Sequence, residues 1–162
     1  MKKTHIILLA ILAIGFASCS KSDSNNNITS ISVAQEASID DGLIKSYISS
    51  HNLDSVKKDT SGVYYKIIKP GTGPYPTVNS VVNVNYQGSL LNGNVFAPEA
   101  NVDASLSNFI AGWQIGVPFI NAGGTILLII PSRYAYGNSS PAASVPANSV
   151  LVFTISLASF VK

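Results

Sequence analysis

The sequence predicts an α+β fold, in which an antiparallel sheet curls around one short helix and a further helix precedes the sheet. Three patterns indicate this architecture. Apolar residues recur every three to five positions between Ile39 and Ile48, as they do on one face of a helix. After Gly62 the apolar period changes to two, which is typical of half-buried strands. Residues 109–117 have the composition of a short helix packed against a sheet.

The first helix is expected to begin at Ser38, because Ser38 and Asp41 have the spacing of a capping box, and to end near Asn52. Its apolar face is expected to consist of Ile39, Leu43, Ile44, Tyr47 and Ile48. We expect this helix to pack on the following domain or to act as a spacer. A helix that binds a partner is the alternative.

Strands are predicted after this helix over residues 63–68, 82–86, 125–130 and 151–157. Gly93, within the sequence Leu-Asn-Gly-Asn, predicts a hairpin turn after the second of these strands. Pro131 ends the third. The short apolar helix therefore falls between the second and third predicted strands.

The N-terminal residues resemble the export signal of a bacterial lipoprotein. Lys2 and Lys3 precede an apolar run over residues 6–17, which is too short to span a bilayer. Residues 16–19, Phe-Ala-Ser-Cys, are similar to a lipobox, after which Cys19 would carry the lipid that anchors the chain in a membrane of the bacterial envelope. An ordinary secretory signal, in which Cys19 is incidental, is the alternative.

These patterns divide the chain into four segments. A lipoprotein signal peptide is predicted over residues 1–18, a flexible tether rich in Ser and Asn over 19–35, an N-terminal helical segment over 36–61, and the folded domain over 62–162. The tether would hold the domain away from the membrane surface.

Charge and residue counts exclude several classes of function. Ten Lys and Arg residues stand against eight Asp and Glu, but Lys2 and Lys3 lie in the leader, so the remaining eight balance the eight acids. A neutral domain has no electrostatic attraction for nucleic acid. The single cysteine, Cys19, excludes an internal disulfide, and His5 and His51 are too few for a His/Cys zinc site or a Cys–His dyad. We therefore expect no metal, no cofactor and no nucleic-acid partner.

Aromatic residues are the unusual feature of the predicted domain. The residues Tyr86, Phe96, Phe109, Trp113, Tyr136 and Phe153 lie in or beside different elements, with few charges near them in sequence. A filled core explains most such sets, but Trp and Tyr have polar tips that need a partner when buried, and they therefore favour pockets and rims. The loop over residues 139–146 is long enough to overhang a concave face. The aromatic set is thus either a core or the lining of a pocket.

Four short motifs occur in order over residues 62–161. They are Tyr86-Gln87-Gly88 with Leu91-Asn92-Gly93-Asn94-Val95-Phe96, then Phe109-Ile110-Ala111-Gly112-Trp113, then Ile130-Pro131-Ser132-Arg133-Tyr134-Ala135-Tyr136-Gly137, and finally Val145-Pro146-Ala147-Asn148-Ser149-Val150-Leu151-Val152-Phe153. Together they resemble the motifs of FKBP-type peptidyl-prolyl isomerases, and their order and spacing make the resemblance specific. It implies an antiparallel half-barrel around a short helix, with a proline-binding pocket between the helix and the sheet.

The resemblance also implies roles for individual residues. Trp113 would form the pocket floor under the proline ring, exposed at the bottom of an apolar hollow. The walls would be Tyr86, Phe96 and Phe153, and the edges Phe109, Ile110 and Val145. The backbone N–H of Ile110 and the hydroxyl of Tyr136 would hold substrate carbonyls.

One departure from the family pattern bears on activity. Ala97 stands where the family carries an aspartate beside the pocket, and Glu99, which follows Pro98, is the nearest carboxylate in sequence. A weakened catalyst is therefore expected, with Ala97 at the substrate-binding surface.

The implied function is a membrane-anchored isomerase that acts on Xaa-Pro bonds of exported or unfolded polypeptides. Rotation about a prolyl amide needs no nucleophile, proton shuttle or metal, so a chain nearly devoid of histidine can catalyse it. The first alternative is a chaperone or assembly module that binds proline-containing segments with little turnover, which Ala97 favours. The second is an all-β structural lipoprotein with a filled core and no cavity beside Trp113.

Overall fold

The computed structural model describes residues 32–162. The expected signal peptide over 1–18, the lipid-modified Cys19 and the tether as far as residue 31 lie outside the described residues.

The described chain forms a six-stranded antiparallel sheet with one short helix on its inner face and a longer helix on its outer face. The strands are β1 (Lys57–Lys58), β2 (Tyr64–Lys69), β3 (Val81–Leu90), β4 (Val95–Ser105), β5 (Gly124–Ile130) and β6 (Leu151–Val161), in the spatial order β1-β2-β5-β6-β3-β4. The helices are α1 (Val33–Ser50) and α2 (Ala111–Gly116), and short 3₁₀ turns occupy Leu106–Asn108, Val117–Phe119 and Ser132–Tyr134. The predicted fold class is confirmed.

Helix α1 begins earlier than the sequence pattern predicts. The side chain of Ser32 accepts a hydrogen bond from the N–H of Gln35 at 3.2 Å, and the Gln35 side chain accepts one from the N–H of Ser32 at 2.9 Å. This reciprocal pair is the capping box, so the prediction that Ser38 and Asp41 form it is wrong. The first three helical residues, which the sequence pattern assigns to the tether, carry too little apolar surface to mark a helical face.

Helix α1 packs on the outer face of the sheet. Ile44 is fully buried against Tyr64, Ile129 and neighbouring side chains of β6 and the loop that precedes it. Ile129 alternates along β5 with residues of the other cluster, so α1 and α2 lie on opposite faces of the sheet. Ile39 and Leu43 stay about half exposed, and only part of the predicted apolar face is therefore used.

Asp41, on helix α1, attaches this helix to strands β1 and β2. Its carboxylate accepts hydrogen bonds from the Tyr64 hydroxyl at 2.6 Å and from Lys58, and pairs with Lys45 at 2.7 Å. The lysines and the hydroxyl hold the pKa of Asp41 well below its usual range. Burial, together with the hydrogen bond to Asp41, raises the pKa of Tyr64 to about 12.

Two glycines bring α2 against the inner face of the sheet. A Cβ on Gly112 would lie 2.4 Å from Cγ2 of Ile130, and a Cβ on Gly116 would lie 2.4 Å from Cδ2 of Leu128. Because these glycines are four residues apart, they share one face of the helix, and that face lies directly on β5. Trp113, next to the first glycine, is thereby held at a fixed height above the sheet.

The predicted strands lack the two-residue β1 and also the much longer β4. Strand β4 is a polar edge strand, and its pairing shifts from Tyr86–Ala100 to Gly88–Ala97, so β4 carries one extra residue around Pro98 and Glu99. A bulge on an edge strand accommodates proline because the missing N–H leaves no ladder bond unmade. Because β4 contains a proline and is mostly polar, it lacks the apolar alternation by which strands are recognised in a sequence.

Candidate functional site

A cavity of about 310 Å³ lies between α2 and the inner face of the sheet. Its lining consists of Tyr86, Phe96, Ala97, Asn108, Phe109, Ile110, Trp113, Tyr136 and Phe153. The volume lies at the lower end of the range found for small-molecule sites. The structure thus brings together every predicted pocket residue except Val145, and the expectation of a filled core without a cavity beside Trp113 is wrong.

The sheet supplies the aromatic wall of this cavity. Gly88 on β3 is paired with Phe153 on β6, and a Cβ on Gly88 would lie 2.7 Å from Cε1 of Phe153 and 2.8 Å from Cζ of Phe96. The absence of a side chain at Gly88 therefore makes room for both rings. Phe96 and Phe153 fill this room edge to face, with centroids 5.6 Å apart and planes at 87°.

Trp113 is fixed in place by further aromatic pairs. Its centroid lies 5.0 Å from that of Tyr86 and 5.3 Å from that of Phe153, with planes at 81° and 88°. Edge-to-face pairs of this kind contribute about 0.5–1.5 kcal/mol each beyond the burial of area. The indole is therefore a rigid part of the cavity.

Phe109 covers the indole. Its ring lies nearly parallel to that of Trp113, with centroids 4.7 Å apart and planes at 18°. Trp113 is only 2% exposed, so the expectation of an indole exposed at the bottom of the hollow is wrong. Phe109 on the face of the indole, together with Tyr86 and Phe153 at its edges, accounts for this burial. The indole N–H is buried with no hydrogen-bond partner among the described residues.

Two hydrogen-bond donors lie at the cavity. Ile110 is the N-cap of α2, and its carbonyl accepts from the N–H of Trp113 at 2.9 Å, whereas no bond from its own N–H occurs within the described residues. The hydroxyl of Tyr136, a residue that is 38% exposed, likewise makes no hydrogen bond there. Both groups are therefore available to peptide carbonyls.

No carboxylate lines the cavity in the described part of the chain. Ala97 occupies the wall with a methyl group only. Glu99 instead lines a separate polar groove with Asn85 and Gln87, residues that alternate with Tyr86 and so face the outer side of the sheet. Glu99 therefore does not replace the acid that Ala97 lacks.

Val145 does not line the cavity. It is 3% exposed and belongs to the core cluster beneath the sheet. Its N–H donates to the carbonyl of Ala142 at 2.9 Å, and its own carbonyl accepts from Ser140 Oγ at 2.8 Å, so the chain turns back on itself here. This tight turn explains why the side chain enters the core instead of overhanging the pocket.

Asn108 is the lining residue that the sequence pattern misses. It ends the 3₁₀ turn directly before Phe109 and carries no motif signal of its own. Among the described residues no three His, Cys, Asp or Glu side chains gather in a geometry suited to a metal ion. Over residues 32–162 no helix combines the length and hydropathy needed to cross a bilayer.

The chain is similar in sequence to FKBP-type peptidyl-prolyl cis-trans isomerases. A family model described as FKBP-type peptidyl-prolyl cis-trans isomerase matches residues 73–158. The chain is 40% identical over 108 residues to a protein of Neisseria meningitidis described as a probable FKBP-type peptidyl-prolyl cis-trans isomerase FkpA. That match covers 64% of this chain and 40% of the relative, so the chain spans well under half of the relative's length.

Solved structures show the same likeness in three dimensions. The crystal structure of FkpA from Escherichia coli matches with a TM-score of 0.64 and 30% identity, covering 78% of this chain and 62% of that chain. A peptidyl-prolyl cis-trans isomerase from Pseudomonas syringae matches with a TM-score of 0.66 and 26% identity, covering 78% of this chain and 96% of that chain.

Proposed function

The chain belongs to the FKBP-type peptidyl-prolyl cis-trans isomerase family, and we propose that it catalyses the cis–trans isomerisation of Xaa-Pro bonds in polypeptides. The family assignment that the four sequence motifs predict is confirmed by the match over residues 73–158. The observation that carries the proposed activity is the aromatic cavity beside Trp113, which is lined without a charged side chain and has two free donors.

The cavity is suited to a reaction whose barrier comes from the loss of amide resonance. Rotation about a prolyl amide must overcome about 18–20 kcal/mol because resonance holds the bond planar. A twisted amide loses that resonance and much of its charge separation, so an apolar surrounding favours it relative to the planar ground state. An interaction that is stronger with the twisted form lowers the barrier, and about 1.4 kcal/mol of it accelerates the reaction tenfold.

The roles of the lining residues follow from their positions. Trp113, Tyr86 and Phe153 would surround the pyrrolidine ring with apolar surface. The N–H of Ile110 and the hydroxyl of Tyr136 would bind carbonyls on either side of the rotating bond and hold the flanking chain while that bond turns. Phe96 and Ala97 would contact the residues around the proline.

A second candidate function shares this cavity. Ala97 leaves it without a carboxylate, and Phe109 covers the indole on which a proline ring would rest. Both features favour weak turnover, so a chaperone or assembly module that retains proline-containing segments is the alternative to an efficient isomerase.

We also propose that the protein acts in the bacterial envelope, tethered by a lipid on Cys19. The support is the short apolar leader with a lipobox-like end and the Ser- and Asn-rich residues after it. Exported polypeptides would be the substrates that such a tethered isomerase meets.

A protease-coupled isomerisation assay on a proline tetrapeptide tests the activity. The full chain should accelerate isomerisation, and Trp113→Ala should remove most of that acceleration. Tyr75→Ala is the matched control, because Tyr75 is an exposed aromatic in a different groove, beside Pro118 and Phe119. An inactive wild type that still binds the peptide would favour the chaperone function.

A further inference from the structure

Helix α1 carries a buried carboxylate that the proposed reaction does not use. Asp40 is 1% exposed, and its Oδ2 accepts hydrogen bonds from both the N–H and the Oγ of Ser132 at 2.8 Å. Its Oδ1 is buried with no hydrogen-bond partner among the described residues. The charge of Asp40 is thus met by a single residue, which lies 92 positions away in sequence.

Ser132 begins the turn that leads to the cavity. Its carbonyl accepts hydrogen bonds from the N–H groups of Ala135 and Gly137 at 2.9 and 2.8 Å, which closes the turn over residues 132–137 on this one residue. The carbonyl of Gly137 in turn accepts from Asn148 at 2.7 Å. Tyr136, which lines the cavity, lies inside this closed turn. Asp40 therefore holds the residue on which the Tyr136 turn is built.

Attaching a helix through a buried carboxylate costs free energy. Burying it carries a desolvation penalty, and an apolar side chain of similar size in such a position often gives equal or greater stability. Ile44, which lies one helical turn after Asp40, attaches α1 to the sheet through apolar packing of this kind. What Asp40 provides beyond attachment is direction, because two hydrogen bonds to one residue fix both the position and the orientation of the turn.

We propose that Asp40 is a positioning residue that places the Tyr136 hydroxyl at the cavity by holding Ser132. The expected effect of Asp40 on the isomerisation rate rests on the proposed isomerase function. Through this contact helix α1 influences the geometry of the cavity, although α1 lies on the opposite face of the sheet.

Besides Asp40 and the hydrogen bond from Asn148, the turn is attached through Arg133, and these remaining contacts limit the size of the expected effect. The guanidinium of Arg133 donates to the carbonyl of Ser61 at 2.6 Å and lies 4.7 Å from the centroid of the Tyr134 ring. Loss of Asp40 should therefore loosen the turn without releasing it. Because small misplacements of a binding group lower rates by one to two orders of magnitude, we expect Asp40→Ala to reduce kcat/KM roughly tenfold.

The matched control is Asp41→Ala. Asp41 is the adjacent carboxylate of the same helix, but its partners are Lys45, Lys58 and Tyr64 instead of the Tyr136 turn. Both variants weaken the attachment of α1, and only Asp40→Ala removes the acceptor of Ser132. Asp40→Asn keeps one acceptor oxygen and should restore most of the activity. If Asp40→Ala does not fold, Asp40→Leu, an apolar side chain of similar size without an acceptor, takes its place.

The experiment measures the full chain in two ways. Hydrogen exchange at the amides of Ala135 and Gly137 should speed up in Asp40→Ala and stay near wild type in Asp41→Ala, a result that does not depend on isomerase activity. The isomerisation assay, corrected for folded fraction, should show the loss of kcat/KM in Asp40→Ala and its recovery in Asp40→Asn. Equal exchange in both alanine variants would overturn the positioning role, as would unchanged kcat/KM in an active Asp40→Ala. A wild type without activity would refute the proposed function alone, and the exchange result would still decide whether Asp40 holds the turn.

Discussion

The ring of Phe109 lies 4.7 Å from the indole of Trp113 and within 18° of parallel to it. A proline ring that is to rest on the indole must therefore displace Phe109 or bind beside it. The stacked pair contributes about 0.5–1.5 kcal/mol, and that amount opposes binding of the substrate.

Phe109→Val should uncover the indole. We expect acrylamide quenching of Trp113 fluorescence to increase clearly, and the affinity for a proline peptide to rise by about two- to tenfold, because the stacking energy no longer opposes binding. The protein has one tryptophan, so the fluorescence reports on this site alone. Phe109→Leu, which keeps most of the bulk, is the control. Weaker peptide binding with unchanged quenching in Phe109→Val would mean that Phe109 is a wall of the pocket and not a cover.

Gly88→Ala should close the cavity from the side of the sheet. The new methyl group would lie 2.7 Å from Cε1 of Phe153 and 2.8 Å from Cζ of Phe96, so these rings must move into the cavity or the strands must separate. We expect peptide binding to be largely lost and the free energy of unfolding to fall by about 1–3 kcal/mol. Gly42→Ala is the control, because a Cβ there meets nothing within 4 Å. It should stabilise α1 by about 0.5–1 kcal/mol and leave activity unchanged. Full activity in Gly88→Ala would show that the reaction takes place elsewhere.

Ala97→Asp should raise the isomerase activity. The new carboxylate would enter an aromatic cavity that holds no other charge, where its hydrogen bonds to tyrosine hydroxyls are strong. We expect kcat/KM in the coupled assay to rise roughly tenfold, equivalent to about 1.4 kcal/mol of transition-state stabilisation. Ala97→Asn, which has the same shape without the charge, should gain much less. The expected rise would mean that the natural cavity is catalytically depleted. An unchanged rate in Ala97→Asp would remove the support that Ala97 gives to the chaperone function, because the missing acid would then not limit turnover.

Cys19→Ser should release the protein from the membrane. If Cys19 is diacylated, the wild type partitions with the membrane fraction and incorporates labelled fatty acid when produced in a bacterium that processes lipoproteins. The Cys19→Ser variant should lose the label and move out of the membrane fraction. A wild type without label would contradict the lipid anchor and leave the folded domain unaffected.

The central strands of the sheet could be predicted from sequence because their buried positions carry apolar side chains. Residues 124–130 and 151–161 are strands with buried faces, and their apolar runs indicate this directly. The hairpin turn predicted at Gly93 implies a strand after it, but the extent of β4 could not be predicted, because an edge strand with a bulge at Pro98 buries little and shows no alternation. The start of α1 was missed for a related reason, since Ser32 and Gln35 cap the helix through polar contacts before its apolar face begins.

The candidate site was predictable in composition and less so in detail. The four motifs contain seven of the nine residues that line the cavity, Ala97 directly follows the first motif, and Asn108 is the ninth. Val145 lies in the core and not at the predicted pocket edge, because a motif does not show in which direction a side chain leaves a tight turn. The stacking of Phe109 on Trp113 and the bond from Ser132 to Asp40 depend on three-dimensional packing, and neither spacing nor periodicity contains them.

A proline-binding cavity at Trp113 is tested most directly by a fluorescence titration of the full chain with a pair of peptides that differ only in Pro or Ala at one position. Trp113 should give a saturable change in emission with the Xaa-Pro peptide and little change with the Xaa-Ala peptide, because only the pyrrolidine ring fits against the indole. Equal responses to both peptides, or no response to either, would contradict a proline-binding cavity at Trp113.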